Sequence, residues 1–153
     1  MKIMMIVLLL ASASMVGIVY GHSDAEGVVK ERMDAMTDMS DNSKRVGGMF
    51  KGKTAFNKQT LANAANVYAQ HGKQMVELFP NTEESRTGSN TEALPKIWED
   101  WGEFNERAVE FVELSELLKK TVSETDDVKE LEKAFFKVAK SCSGCHKRFR
   151  KPK

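Results

Sequence analysis

The chain has 153 residues, 41% of them hydrophobic and 29% charged, the composition of an ordinary globular protein of one domain. Its 23 basic and 22 acidic residues leave a formal net charge of only +1, which argues against nucleic acid as a partner.

Residues 1–21 do not belong to that domain. Lys2 supplies a short positive region, Ile3 to Tyr20 is an uncharged apolar run, and Val19-Tyr20-Gly21 offers small residues before His22. The segment reads as a cleaved signal peptide, leaving 22–153 as the mature domain, and an uncleaved membrane anchor is the alternative. Either reading exports the chain, and the expected location is the periplasm. Without Lys2 the mature chain has 22 basic and 22 acidic residues and is formally neutral.

From there the pattern is helical. Steps of three and four mark an amphipathic first helix over about 24–46 (Val28, Arg32, Met36, Met39, Val46) and a second over about 57–78 (Leu61, Ala64, Ala65, Tyr68, Met75). Gly47-Gly48 and Gly52 are expected to break the first join. Phe79-Pro80 opens a long polar connection that closes at Pro95. A third helix carries Ile97, Trp101, Phe104, Ala108, Phe111, Ser115 and Leu118 on one stripe. A fourth, starting near Asp126, carries Val128, Leu131, Phe135, Val138, Cys142, Cys145 and Phe149. No stretch alternates with period two over a strand's length. The expected fold is all-α, an antiparallel four-helix bundle with a long middle connection.

Both cysteines of the chain lie in the segment SCSGCHKRFR, residues 141–150. On a helix Cys142, Cys145 and His146 sit at i, i+3 and i+4, so all three point to one face, and the periodicity makes that face the core. Cys-x-x-Cys-His is the sequence by which two thiols add to haem vinyl groups while the adjacent histidine takes the iron. A zinc site would need four ligands, and the mature chain offers two cysteines with His22, His71 and His146. A redox dithiol sits best at a helix N-terminus, whereas this pair lies about four turns into a helix. A structural disulfide fits poorly inside a regular helix. Covalent haem c, with its iron, is the reading that the motif favours. No methionine follows His146, so a distal ligand has to come from earlier helices.

With Leu78-Phe79-Pro80, Pro95-Lys96-Ile97-Trp98, Phe104, and Cys142 to His146 followed by Arg150, the mature chain resembles the cytochrome c' family of class II c-type cytochromes. The resemblance implies thioethers at Cys142 and Cys145, His146 as the proximal axial ligand and Arg150 as the basic residue on the proximal side. It also implies Arg32 near the haem propionates and Met36 over the distal face. In this family the distal residue either blocks the iron, leaving a five-coordinate centre that takes nitric oxide or carbon monoxide, or is a methionine that ligates it. The resemblance further implies a homodimer through the first two helices.

Two functions follow. One is electron transfer between redox partner proteins, with Met36 as distal ligand; the alternative is binding or scavenging of nitric oxide. No residue with a claim to acid–base catalysis in the distal pocket is apparent, so the chain is not expected to be an enzyme. A dithiol oxidoreductase would require haem to be absent. His71 reads as a partly buried or surface histidine, Trp98 and Trp101 as core or haem packing, and the basic tail KRFRKPK as a solvated segment that complements the negative end of the last helix.

Overall fold

The structure, a computed structural model, describes residues 25–152; the expected signal peptide lies outside the described residues. Among the described residues six helices follow one another: α1 (Gly27–Phe50), α2 (Lys58–Gln74), α3 (Glu83–Thr87), α4 (Lys96–Glu99), α5 (Trp101–Glu124) and α6 (Val128–Phe149). Four of them are long and form the bundle: α1 packs on α2, α2 on α5 and α5 on α6. Among the described residues the only strand-like pairing is an isolated bridge between Ala93 and Arg150. Nor is any described helix long and apolar enough to cross a membrane.

The helix boundaries differ from the expected ones in instructive ways. Helix α1 runs through Gly47-Gly48 instead of stopping there. Glycine inside a helix costs about 1 kcal/mol, and burial just beyond offsets it. Met49 is buried, and the Phe50 ring packs on Phe56, Phe135 and Phe136. The stop comes at Gly52, whose φ of 69° is left-handed. Lys53 N–H bonds back to Gly48 C=O and Gly52 N–H to Met49 C=O, which closes the helix with a Schellman motif.

Helix α2 starts where Asn57 accepts from the Thr60 N–H at 2.8 Å. It ends at Gln74, and Met75 to Leu78 continue as turns rather than helix. The third expected helix is divided at Asp100, whose backbone (φ −121°, ψ 45°) leaves the helical region. That break keeps Ile97 and Phe104 buried but turns Trp101 outward, 39% exposed instead of in the core. Helix α6 is capped by Asp127 rather than Asp126, and Val128 lies on its exposed side.

One contact sets how closely the middle helices approach. A Cβ at Gly72 of α2 would meet the Phe111 ring of α5 at 3.0 Å and Val112 at 3.1 Å, whereas Gly47 and Gly48 face open space. Gly72→Ala should therefore cost about 1–3 kcal/mol through overpacking. Gly47→Ala or Gly48→Ala should gain up to about 1 kcal/mol of helix propensity. Urea unfolding of the haem-loaded protein would show this opposition in sign; a stabilising Gly72→Ala would contradict the close α2–α5 packing.

Candidate functional site

Five residues of α1 and α6 frame the site before any motif is considered. At one end of the bundle Phe50 of α1 packs on Phe135 and Phe136 of α6, with ring centroids 5.5 and 6.2 Å apart. At the other end a chain of contacts runs from Arg32 of α1 over the Phe79 ring (4.9 Å), on to Phe104 of α5 (4.9 Å) and then to Phe149 of α6 (5.5 Å). Between these two frames α1 presents Met36 and Met39, and α6 presents Cys142, Cys145 and His146. The backbones of α1 and α6 are not among the closely packed helix pairs. Helices α1 and α6 are thus linked through side chains at both ends, while their backbones are not closely packed between.

The two thiols are free and half-buried, and both pack against the hydrophobic core. The alternative of a disulfide is therefore not what the structure contains. Burial pushes the Cys142 thiol up to about 11. Burial also raises Cys145, against the opposing pull of the Arg107 guanidinium. Thiols held protonated in this way make a poor dithiol nucleophile at neutral pH. Among the described residues no group of three or more His, Cys, Asp or Glu side chains is arranged to hold a metal ion, so no zinc site is built there.

Arg32 carries the most telling chemistry. It is 4% exposed, and its guanidinium donates to the Ser85 hydroxyl (3.1 Å), the Ser85 carbonyl (2.6 Å) and the Thr91 hydroxyl (2.5 Å). Every one of these acceptors is neutral. Among the described residues no carboxylate pairs with it, and desolvation lowers its pKa. A buried cation lacking an anionic partner is costly. Its natural complement is a carboxylate brought by a ligand, such as a haem propionate.

The remaining expected residues fall around this frame. Met36, one turn after Arg32, is half-buried against the core. Arg150 ends α6: its N–H bonds to the His146 carbonyl at 3.1 Å and its Nε lies 3.8 Å from Glu92. Trp98 donates from Nε1 to the carbonyls of Phe79 (3.1 Å) and Pro80 (3.2 Å), which ties the Leu78-Phe79-Pro80 turn to the helix that follows Pro95. His71 stands elsewhere, paired at 2.9 Å with Asp38 in a groove between α1 and α2 that contains none of the α6 motif.

Two further residues belong to the site and were read from sequence only as packing or not at all. Tyr68, 1% exposed, shares a 2.9 Å hydrogen bond with Ser43 and lies close enough to Cys142 to feel its charge. Ser43 already donates to the Met39 carbonyl, so Tyr68 is the donor between them. Arg107 of α5 lies against Gly144, between the two cysteines, at 3.5 Å from where a Cβ would be. The helical stripe marked Tyr68 as inward, but no signal in the sequence tells that its hydroxyl meets α1 or that Arg107 reaches α6.

Comparison with known proteins decides the identity of this arrangement. Residues 27–150 match the family described as cytochrome C'. The chain belongs to the cytochrome c' family. It is 29% identical over 126 residues to the cytochrome c' of Rhodopseudomonas palustris, covering 82% of this chain and 83% of that one. A crystal structure of cytochrome c' from the same organism superposes with a TM-score of 0.76 at 28% identity, over 84% of this chain and 98% of the other. The nitric oxide complex of a variant cytochrome c prime from Alcaligenes xylosoxidans superposes at 0.70 with 25% identity, over 82% and 94%. The chain is thus an all-α four-helix-bundle cytochrome that carries haem c, joined covalently through Cys142 and Cys145. The two half-buried thiols and an Arg32 whose hydrogen-bond partners are all neutral fit that group.

The Tyr68 phenol gives a pH signature. Burial raises it from 10.0 to about 12, so the folded protein holds this proton while the unfolded chain has lost it. The stability it contributes is complete below about pH 10 and is lost as pH rises toward about 12. Tyr68→Phe should cost about 1 kcal/mol at neutral pH through the lost hydrogen bond. Denaturant melts of wild type and variant across pH 9–12 should show a shallower decline for the variant; identical declines would contradict a buried phenol.

Proposed function

We propose that this cytochrome is an exported, periplasmic electron carrier in which His146 is the proximal axial ligand of the iron and Met36 covers its distal face. The observation that supports this most is the half-burial of Cys142, Cys145 and His146 at i, i+3 and i+4 of α6, which puts the histidine on the same helix face as the two attachment cysteines. The haem supplies a one-electron couple at its iron. The chain's own residues then hold it. Cys142 and Cys145 fix the edge near the surface, where a redox partner protein can approach, because both are half-buried rather than sealed in. Arg32 offers its unpaired charge to a propionate. Arg150 reads as the proximal basic residue, its N–H bonded to the His146 carbonyl. No residue of the chain is assigned a catalytic role, and a homodimer through α1 and α2 is the expected assembly.

A second reading has its own support, since a relative of the same fold is known as a nitric oxide complex. In that reading Met36 shields the iron without binding it, and the protein takes up nitric oxide or carbon monoxide on the distal side.

Substitution of Met36 by alanine separates the two. If the thioether ligates iron, the wild type is low-spin with a weak far-red sulfur band, and Met36→Ala turns it high-spin. If Met36 only shields, the spin state stays high in both, and carbon monoxide binds faster in the variant. A variant unchanged in both absorption and binding rate would remove Met36 from the distal face and sink this assignment.

A further inference from the structure

We propose that Arg107 is a positioning residue for the haem-attachment segment and that its charge, set against that of Glu103, tunes the reduction potential of the haem. The proposal rests on covalent attachment at Cys142 and Cys145 and not on the choice between electron transfer and gas binding.

The geometry is specific. Glu103, one turn before Arg107 on α5, accepts from both Nε (3.0 Å) and Nη2 (2.8 Å) of the guanidinium. That two-point contact fixes the plane of the guanidinium and leaves Nη1 to face α6. Nη1 lies 3.5 Å from the point where a side chain at Gly144 would begin. Gly144 is one of the two residues between the cysteines, so a larger side chain there would displace the cation from the attachment segment. Glu103 is held from its other side as well. Its second oxygen accepts from Arg148 at 2.8 Å, Arg148 also bonds Asp100 at 2.8 Å, and Asp100 pairs with Lys96 at 3.0 Å. The chain of charges runs Lys96, Asp100, Arg148, Glu103, Arg107, passes through α6 at Arg148, returns to α5, and ends against the motif.

Arg107 and Glu103 thus set one fixed cation and one fixed anion beside the attachment segment, where both charges act on a haem joined there. Ferric haem carries one positive charge more than ferrous haem, so a nearby fixed cation disfavours the ferric form and a nearby fixed anion favours it. Arg107 should raise the midpoint potential and Glu103 should lower it. Since the Arg107 side chain is 35% exposed, salt should weaken its influence without abolishing it.

The test is a spectroelectrochemical titration of the haem-loaded protein, in which mediators supply one electron per ferric haem, at low and high salt. Mass spectrometry of each variant confirms covalent haem. Arg107→Gln should lower the midpoint, so that the ferrous-to-ferric ratio at fixed ambient potential falls about three- to tenfold, the influence of one charge at intermediate dielectric. Arg107→Lys should restore most of it, and Glu103→Gln should shift the midpoint upward. If Arg107→Gln fails to mature, the upward shift of Glu103→Gln decides alone. An unchanged or raised midpoint in Arg107→Gln, or a downward shift in Glu103→Gln, would overturn the proposal. A pair shifting in the same direction would mark simple loosening of α5 from α6. Since the midpoint is read whichever ligand Met36 provides, failure here is distinct from failure of the electron-carrier reading.

Discussion

Helices α1 and α6 are bridged by rings at both ends of the bundle while their backbones stay apart between, and the rest of the molecule depends on that spacing. A four-helix bundle gains stability by closing helix on helix, with apolar stripes interlocking along their length. Here the α1–α2, α2–α5 and α5–α6 contacts follow that rule. The fourth side is left to Met36, Met39, Tyr68 and the two cysteines. A planar haem joined at Cys142 and Cys145 would complete that side, and its propionates would offer an anion to Arg32, whose partners are otherwise neutral.

The connection between α2 and α5 is part of the same construction. Its short helix α3 and the residues after it supply Ser85 and Thr91, which receive the Arg32 guanidinium, and the turn before α3 supplies Phe79, on which that guanidinium lies. Trp98 then pins Phe79 and Pro80 from the far side of the connection. Past α6, the Lys151 N–H bonds to Glu92 C=O and the Leu94 N–H to Phe149 C=O, so the end of the motif helix is sewn to the same segment. The Leu-Phe-Pro and Pro-x-Ile-Trp stretches are thus two halves of one support, and their joint presence has a physical reason.

Much of this was legible in the sequence. The helical stripes placed Leu61, Tyr68, Phe104, Phe111, Leu131, Phe135 and Phe149 in the core, where they lie. Cys142, Cys145 and His146 could be assigned to one inward face because helical spacing alone requires it. The failures share a cause. Gly47-Gly48 looked like a stop because local propensity is visible in sequence, whereas the burial of Met49 and the Phe50 ring contacts that carry α1 onward are tertiary. Trp101 fitted the stripe, but the backbone break at Asp100 turned it outward while Ile97 before it and Phe104 after it stayed buried. Arg107 passed unnoticed because an i,i+4 partner to Glu103 reads as an ordinary surface pair; only the absent side chain of Gly144, on another helix, gives it a place at the haem. Arg32 was placed near the propionates through family resemblance, and its neutral hydroxyl and carbonyl partners became visible only in three dimensions.

The central claim is that Cys142 and Cys145 hold the haem by carbon–sulfur bonds and so complete the side of the bundle that α1 and α6 leave open. Acid-acetone extraction of the purified, exported protein tests it most directly, because thioethers survive a treatment that strips haem bound by ligation alone. The account predicts that colour stays with the polypeptide and that the intact chain keeps the added mass of one haem. Colour passing wholly into the solvent, leaving a chain with two free thiols, would contradict it.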